Sequence, residues 1–287
     1  MTAWKSLRWS SSVNSPAIPV PAPAASVSQA AYDGLVCCDA TQKCEAVFGL
    51  ARQIREGTLN MASAPDIEAV ECPGRPARPR LVAPKDVARR SLTTEQGRAA
   101  FIHAITHIEF NAINLALDAL YRFQGLPRAY YLDWSHVAQE EAQHFLMLQE
   151  RLQQVGSHYG AFDAHNGLWD MAVKTRDSLV ARMALVPRVL EARGLDVTPG
   201  MIQKLRAHGD GKTAEILEII LEQEIGHVAI GSRWFRYACE EQGLEPEPTF
   251  QRLLAQYYTG RVQKPLHLEA RRKAGFSESE LAALEKG

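Results

Sequence analysis

Two tetrads in the chain repeat one pattern. Glu141-Ala142-Gln143-His144 and Glu224-Ile225-Gly226-His227 both read Glu-x-x-His. On a helix, residues three apart share a face about one turn from each other. One carboxylate and one imidazole from each tetrad can then reach a single metal ion. One such tetrad alone carries little weight; the setting of these two carries more. Glu109 precedes Glu141 by 32 residues and Glu191 precedes Glu224 by 33. A helix with one inward Glu, followed by a helix with Glu-x-x-His, therefore occurs twice. That is the plan of carboxylate sites for two metals in four-helix bundles. Four carboxylates balance two divalent ions, so the buried group is neutral only with metal bound. Mixed oxygen and nitrogen ligation with open positions suits Fe(II) or Mn(II). Two iron ions are the first expectation, with manganese or a mixed Mn/Fe pair as alternatives.

These side chains need long helices to carry them, and the apolar periodicity supplies four. The first runs from Thr93, where Thr93 and Gln96 have capping-box spacing, to Phe123. Its stripe is Ile102, Ile105, Ala112, Ile113, Ala116 and Leu120, with Glu109 on the same line. The second begins after Pro127 and ends near Gly156. It turns Glu141 and His144 inward, with Glu140 and Gln143 facing away. The third is expected from Leu168 to Ala192, stopped at Gly194, with a kink or a wide turn at Pro187. On it Glu191 competes with Asp177 for the role of inward acid. A short helix follows from Thr198 to near Gly209. The fourth long helix runs from Lys212 to Gln242 with Glu224 and His227 on its buried line. A carboxylate on a core-facing stripe is costly unless it is paired or metal-bound.

Around these four the chain divides into regions. Residues 1–30, rich in Ser, Pro and Ala, are expected to form a disordered tail. Residues 31–92 hold a helix over about 40–58 and a Pro/Arg-rich extended stretch over 72–90. The bundle occupies 93–243. Residues 244–287 form a C-terminal helical extension, with a helix from Thr249 to Tyr258 and a last one opened by Ser277 and Glu280 at capping-box spacing. The chain is read as all-α, with no strand-like alternation beyond short ambiguous pieces.

Composition sets bounds on function. Hydrophobic residues make up 46%, charged residues 23%, and the formal net charge is −1. Nothing global argues for nucleic acid or an acidic membrane. No apolar run reaches the roughly 18–20 residues of a bilayer span, and residues 1–12 lack the apolar core of a secretory signal. A cytoplasmic chain is the default. The five cysteines form no Cys-x-x-Cys pair and are read as reduced thiols. The basic run Arg75–Arg90 could grip a phosphate or act as a solvated linker pairing with surface acids. Tyr130, Trp134, Trp234 and Tyr237 could relay electrons or simply pack. His103 and His107 have no counterparts in the second half; His107 could orient a ligand or be an added ligand, and a surface or satisfied core histidine is the plainer reading.

The segments HAITHIEFNAINLALDALYRF, WSHVAQEEAQHFLML, MALVPRVLEARGLD and ILEQEIGHVAIG carry a resemblance. They look like a bacterial ferritin-like family of unknown function, distantly related to rubrerythrin and to the di-iron tRNA hydroxylases. The likeness covers roughly residues 39–276, including PGRPARP and EARRKAGF. It implies a ferritin-like four-helix bundle with added N- and C-terminal helices. It also implies a dinuclear centre held by Glu109, Glu141, His144, Glu191, Glu224 and His227. It brings no established activity.

The resulting expectation is a non-haem di-iron oxidase or hydroxylase that uses dioxygen or peroxide on a small organic substrate, with an external electron donor. The alternatives are iron handling or peroxide scavenging, and a non-enzymatic scaffold stabilised by metal. A tRNA substrate has only the basic run in its favour, and a homodimer is compatible with the chain.

Overall fold

The computed structural model describes residues 25–61, 66–87, 91–258 and 262–286. It is all-helical, and no strand occurs among the described residues, only the isolated bridges Ser26–Asn60 and Leu81–Ala164. Most of the expected tail, residues 1–24, lies outside the described residues. Its end does not: α1, Val27–Val36, starts where Ser26 accepts from the Gln29 amide. The Ser/Ala composition hid this helix, which is held by burial of Val27, Ala31 and Leu35. α2, Ala40–Glu56, is capped by the Asp39 carboxylate and ends at Gly57, whose φ of 70° suits a residue without a Cβ.

α3 (Glu95–Arg122) and α4 (Arg128–Gln154) pack along each other, and α1 and α2 cover their outer side. The cap of α3 is Thr94, which accepts from the Gly97 amide at 3.0 Å, so the expected capping box at Thr93 is one residue early. The turn is tight enough that a Cβ on Gly97 would sit 1.7 Å from the Ser91 carbonyl oxygen. The described part of the Pro/Arg-rich stretch, residues 72–87, is irregular, with bends and a 3₁₀ turn at Pro84–Asp86 as its one helical piece, and residues 88–90 lie outside the described residues. It is tied to the loop after α4 by Val82 N–H to Ala164 O, and Arg80 pairs with Asp163 at 2.6 Å.

The third long helix departs most from expectation. It is broken and shifted: α5 (Gly167–Lys174), α6 (Leu179–Leu185), a π-helical segment (Val186–Glu191) and α7 (Ala192–Ala207) follow one another. The break at 175–178 is fixed by Arg182. Its buried guanidinium donates to the Ala172 carbonyl, the Thr175 hydroxyl and Asp118 of α3. α7 does not stop at Gly194, and the separate helix expected from Thr198 is part of it. The roughly 1 kcal/mol penalty of an interior Gly is outweighed by burial of Ala192, Leu195, Ile202 and Leu205 as α7 packs along α8.

α8, Gly211–Glu241, begins at Asp210, whose carboxylate accepts from the Thr213 amide, and it also contacts α4 and α6. α9 (Pro246–Tyr257), α10 (Leu268–Lys273) and α11 (Glu278–Lys286) form the C-terminal extension. The expected box at the start of α11 is present: Ser277 N–H donates to Glu280 Oε2, and Glu280 N–H to Ser277 Oγ. The extension grips the π segment through Arg188, which pairs with Glu280 at 2.6 Å among the rings of Phe235, Phe250 and Phe276.

The buried apolar side chains form two clusters. Along α3, α4 and α8 the chain passes from one to the other at a polar level. Glu109 lies between Ile105 and Ile113, His144 between Val137 and Leu148, and Glu224 between Ile220 and Val228. No helix among the described residues is long and apolar enough to cross a membrane. All five cysteines are free thiols.

Candidate metal centre

At that polar level the helices bring acids and imidazoles together. Ligand atoms of Glu109, Glu141, His144 and Glu224 all lie within 4.8 Å of one another. Glu109, Glu141, His144 and His227 are buried, and Glu224 nearly so. His227 adjoins the group, with Nδ1 3.0 Å from Glu141 Oε1 and 3.3 Å from Glu224 Oε1. Glu191, at the end of the π segment, shares one cavity with Glu109, Glu141 and Glu224. Asp177, its rival, is 92% exposed in the turn before α6 and takes no part.

Hydrogen bonding satisfies these groups only in part, since Glu109 Oε2 accepts from His144 Nδ1 at 3.1 Å. Both Glu141 oxygens, Glu191 Oε2 and His227 Nδ1 are buried without a hydrogen-bond partner, although His227 Nδ1 and Glu141 Oε1 are close. Buried polar atoms are rarely left so. Several carboxylates facing one another over imidazole nitrogens are a donor set for cations, and this buried cluster could hold a metal ion.

Electrostatics agree. Burial, with Glu141 next to it, raises Glu109 to about 7. Burial likewise lifts Glu191 well above the usual carboxylate range, with Glu224 and Glu141 adding to it. For His144 burial opposes the charged form, but Glu109 and Glu141 together outweigh it and bring the imidazole to about 11. His227 follows the same balance against Glu224, Glu140 and Glu141, and ends well above its ordinary value. Without metal, the two imidazoles and the carboxyls of Glu109 and Glu191 thus favour holding protons that a cation would displace.

Outside this group lies a second pair that the sequence reading set aside. Glu140 does not face away. Its Oε2 accepts from His227 Nε2 at 2.8 Å, and its Oε1 accepts from Gln223 Nε2 at 3.0 Å. Gln223 Oε1 in turn accepts from His144 Nε2 at 2.7 Å. The exchange is reciprocal: α4 orients the histidine of α8, and α8 that of α4. With its N–H given to Glu140, Gln223 can present only a carbonyl to His144, so both imidazoles carry hydrogen on Nε2. In the neutral form each keeps its Nδ1 lone pair for the centre. The available signal was an acid or amide directly before each tetrad, Glu140 and Gln223. Gln143 does face solvent.

His103 and His107 lie apart from the cluster. His103 Nε2 accepts from the Gly160 amide, and His107 contacts Tyr159, Asn111 and the His165 carbonyl. Burial lowers both to about 4, so they serve as neutral core groups. The aromatic residues pack as neighbours, with Tyr130 5.0 Å from Trp234 and Trp234 5.0 Å from Tyr237 between ring centres.

Residues 36–282 match the model of a family described as "Protein of unknown function (DUF455)". An uncharacterized protein of Haemophilus influenzae is 48% identical over 215 residues, which cover 72% of this chain and 74% of that protein. No solved structure matches.

Proposed function

The chain belongs to this family of unknown function, so we propose a function from the site itself: a dinuclear metal oxidoreductase, iron first, acting on an organic substrate. The observation that carries the reading is the set of buried, unpartnered atoms on Glu141, Glu191 and His227 beside the converged Glu109, His144 and Glu224. We read the arrangement of α3, α4, α6–α7 and α8 as ferritin-like, with one Glu from each of two helices and Glu-x-x-His from each of the other two.

A pair of redox-active ions bound there would supply oxidation of an organic molecule by dioxygen or peroxide. The chain's own residues have definable parts. The four carboxylates offset the charge of two divalent cations. Glu140 and Gln223 fix the imidazoles so that Nδ1 of each faces inward. The two apolar clusters above and below keep bulk water from the site. Glu191 and Glu109 reach the cavity beside the centre, where they border any substrate. That cavity favours an organic substrate over simple iron handling, which needs only a path for ions.

The test is oxygen consumption by iron-loaded protein, compared with Glu141→Gln. Wild type is expected to consume dioxygen, and the variant to lose both iron and oxygen uptake while keeping its helical spectrum. Equal oxygen uptake by metal-free protein would contradict the reading.

A further inference from the structure

The cavity beside the acid cluster has a volume of about 230 Å³. One end is formed by Glu109, Glu141, Glu191 and Glu224. The rest of its wall is mostly hydrocarbon from α3, α7 and α8, including Ile105, Ala112, Val197, Met201, Leu217 and Ile220. Ile108, 45% exposed, borders it at the surface, so an apolar side chain stands at the mouth. The polar partners Glu140 and Gln223 lie on the other side of the histidines and are absent from this wall. The site therefore has a polar side, where α4 and α8 exchange hydrogen bonds, and an apolar side open to a ligand.

The charges at the cavity narrow the ligand class. Two divalent cations would neutralise the four carboxylates, so a charged ligand would bring an uncompensated charge into hydrocarbon, which is strongly disfavoured. Arg193 borders the cavity, but its Nη1 donates to the Gln263 and Pro265 carbonyls and lies 3.6 Å from Asp196. The volume equals about eight waters at roughly 30 Å³ each, and a chain of about eight carbons fills a similar space. Resting on the dinuclear reading for its chemistry and for the charge balance that excludes ions, but not for the apolar wall that binds hydrocarbon, we propose that the cavity takes an uncharged, largely hydrocarbon substrate of about that size and presents it to the acid cluster.

Gly194 provides the probe. It lies in α7 at the cavity wall, and a Cβ added there meets nothing within 4 Å. Gly194→Leu would occupy the cavity, while Leu in place of Gly favours the helix. Calorimetric titration of the protein as purified, its metal content recorded, with 1-octanol, octanoate and octylamine tests the idea. Expected are saturable 1-octanol binding, at least tenfold weaker binding of both charged analogues, and at least tenfold weaker 1-octanol binding by Gly194→Leu. Equal or tighter binding of a charged analogue would overturn the proposal. So would 1-octanol binding that Gly194→Leu leaves unchanged, or no binding to wild type. Octanol binding without any oxygen chemistry would leave this inference standing and remove the oxidoreductase reading instead. Oxygen chemistry with a charged substrate would do the reverse.

Discussion

At the scale of single residues, a cation entering this cluster would have to displace protons from the atoms that bind it. His144 and His227 are held in the charged form by their carboxylate neighbours, and Glu191 is held protonated by burial. Glu109, at about 7, changes state in the working range. Each of these four groups must lose its proton to bind a cation, so apparent metal affinity must rise with pH. Below pH 7 about four protons leave per loaded site. Above it about three do, because Glu109 is already ionised. A plot of log affinity against pH between 6 and 8 is therefore expected to rise steeply and to lose about one unit of slope near pH 7. A flat plot would mean that these groups are not the ligands. Helical spacing made Glu109, Glu141, His144, Glu224 and His227 legible as inward residues, because it fixes the face of a side chain, but it left Glu191 in competition with Asp177. It left Glu140 and Gln223 unread because their role depends on the opposite helix: each serves a histidine that is not its own.

At the scale of elements, the π segment Val186–Glu191 is the feature that periodicity blurred. Pro187 signalled a disturbance in the helix, but not its form or its result. The extra residue per turn comes just before Glu191, and such insertions are frequent at functional sites. The segment lies so close to α8 that a Cβ on Gly231 would come 2.3 Å from Pro187 Cβ. Gly231→Ala must therefore push the segment away, at a cost of about 1–3 kcal/mol for overpacking, and draw Glu191 back with it. Gly226, inside the second tetrad, is its control, because an added Cβ there meets nothing within 4 Å. Thermal melts with metal analysis are expected to show Gly231→Ala less stable and deficient in metal, with Gly226→Ala at or above wild-type stability. Equal behaviour of the two variants would detach the π segment from the site. Helices α3, α4 and α8 were readable because their stripes are regular and their ends carry capping or breaking residues. The third was not, because the break at 175–178 depends on Arg182 reaching Asp118, a contact 64 residues apart in the chain.

At the scale of the whole molecule, the acid cluster lies where two apolar cores meet, and the surrounding helices enclose it. α1 and α2 cover α3 and α4, and the C-terminal extension holds the π segment through Arg188 and Glu280. The all-helical character of the chain was legible throughout, but α1 and α10 were not. Both are short, and their stability comes from the surfaces they cover rather than from their own patterns. Unpartnered carboxylates in such an interior make sense if a cation completes them. Elemental analysis of protein purified without added metal, wild type beside Glu141→Gln, tests that claim most directly. The account predicts close to two transition-metal ions per chain, mainly iron, in the wild type and a large loss in the variant. Wild-type protein that stays metal-free, even after anaerobic incubation with Fe(II) or Mn(II), would contradict it.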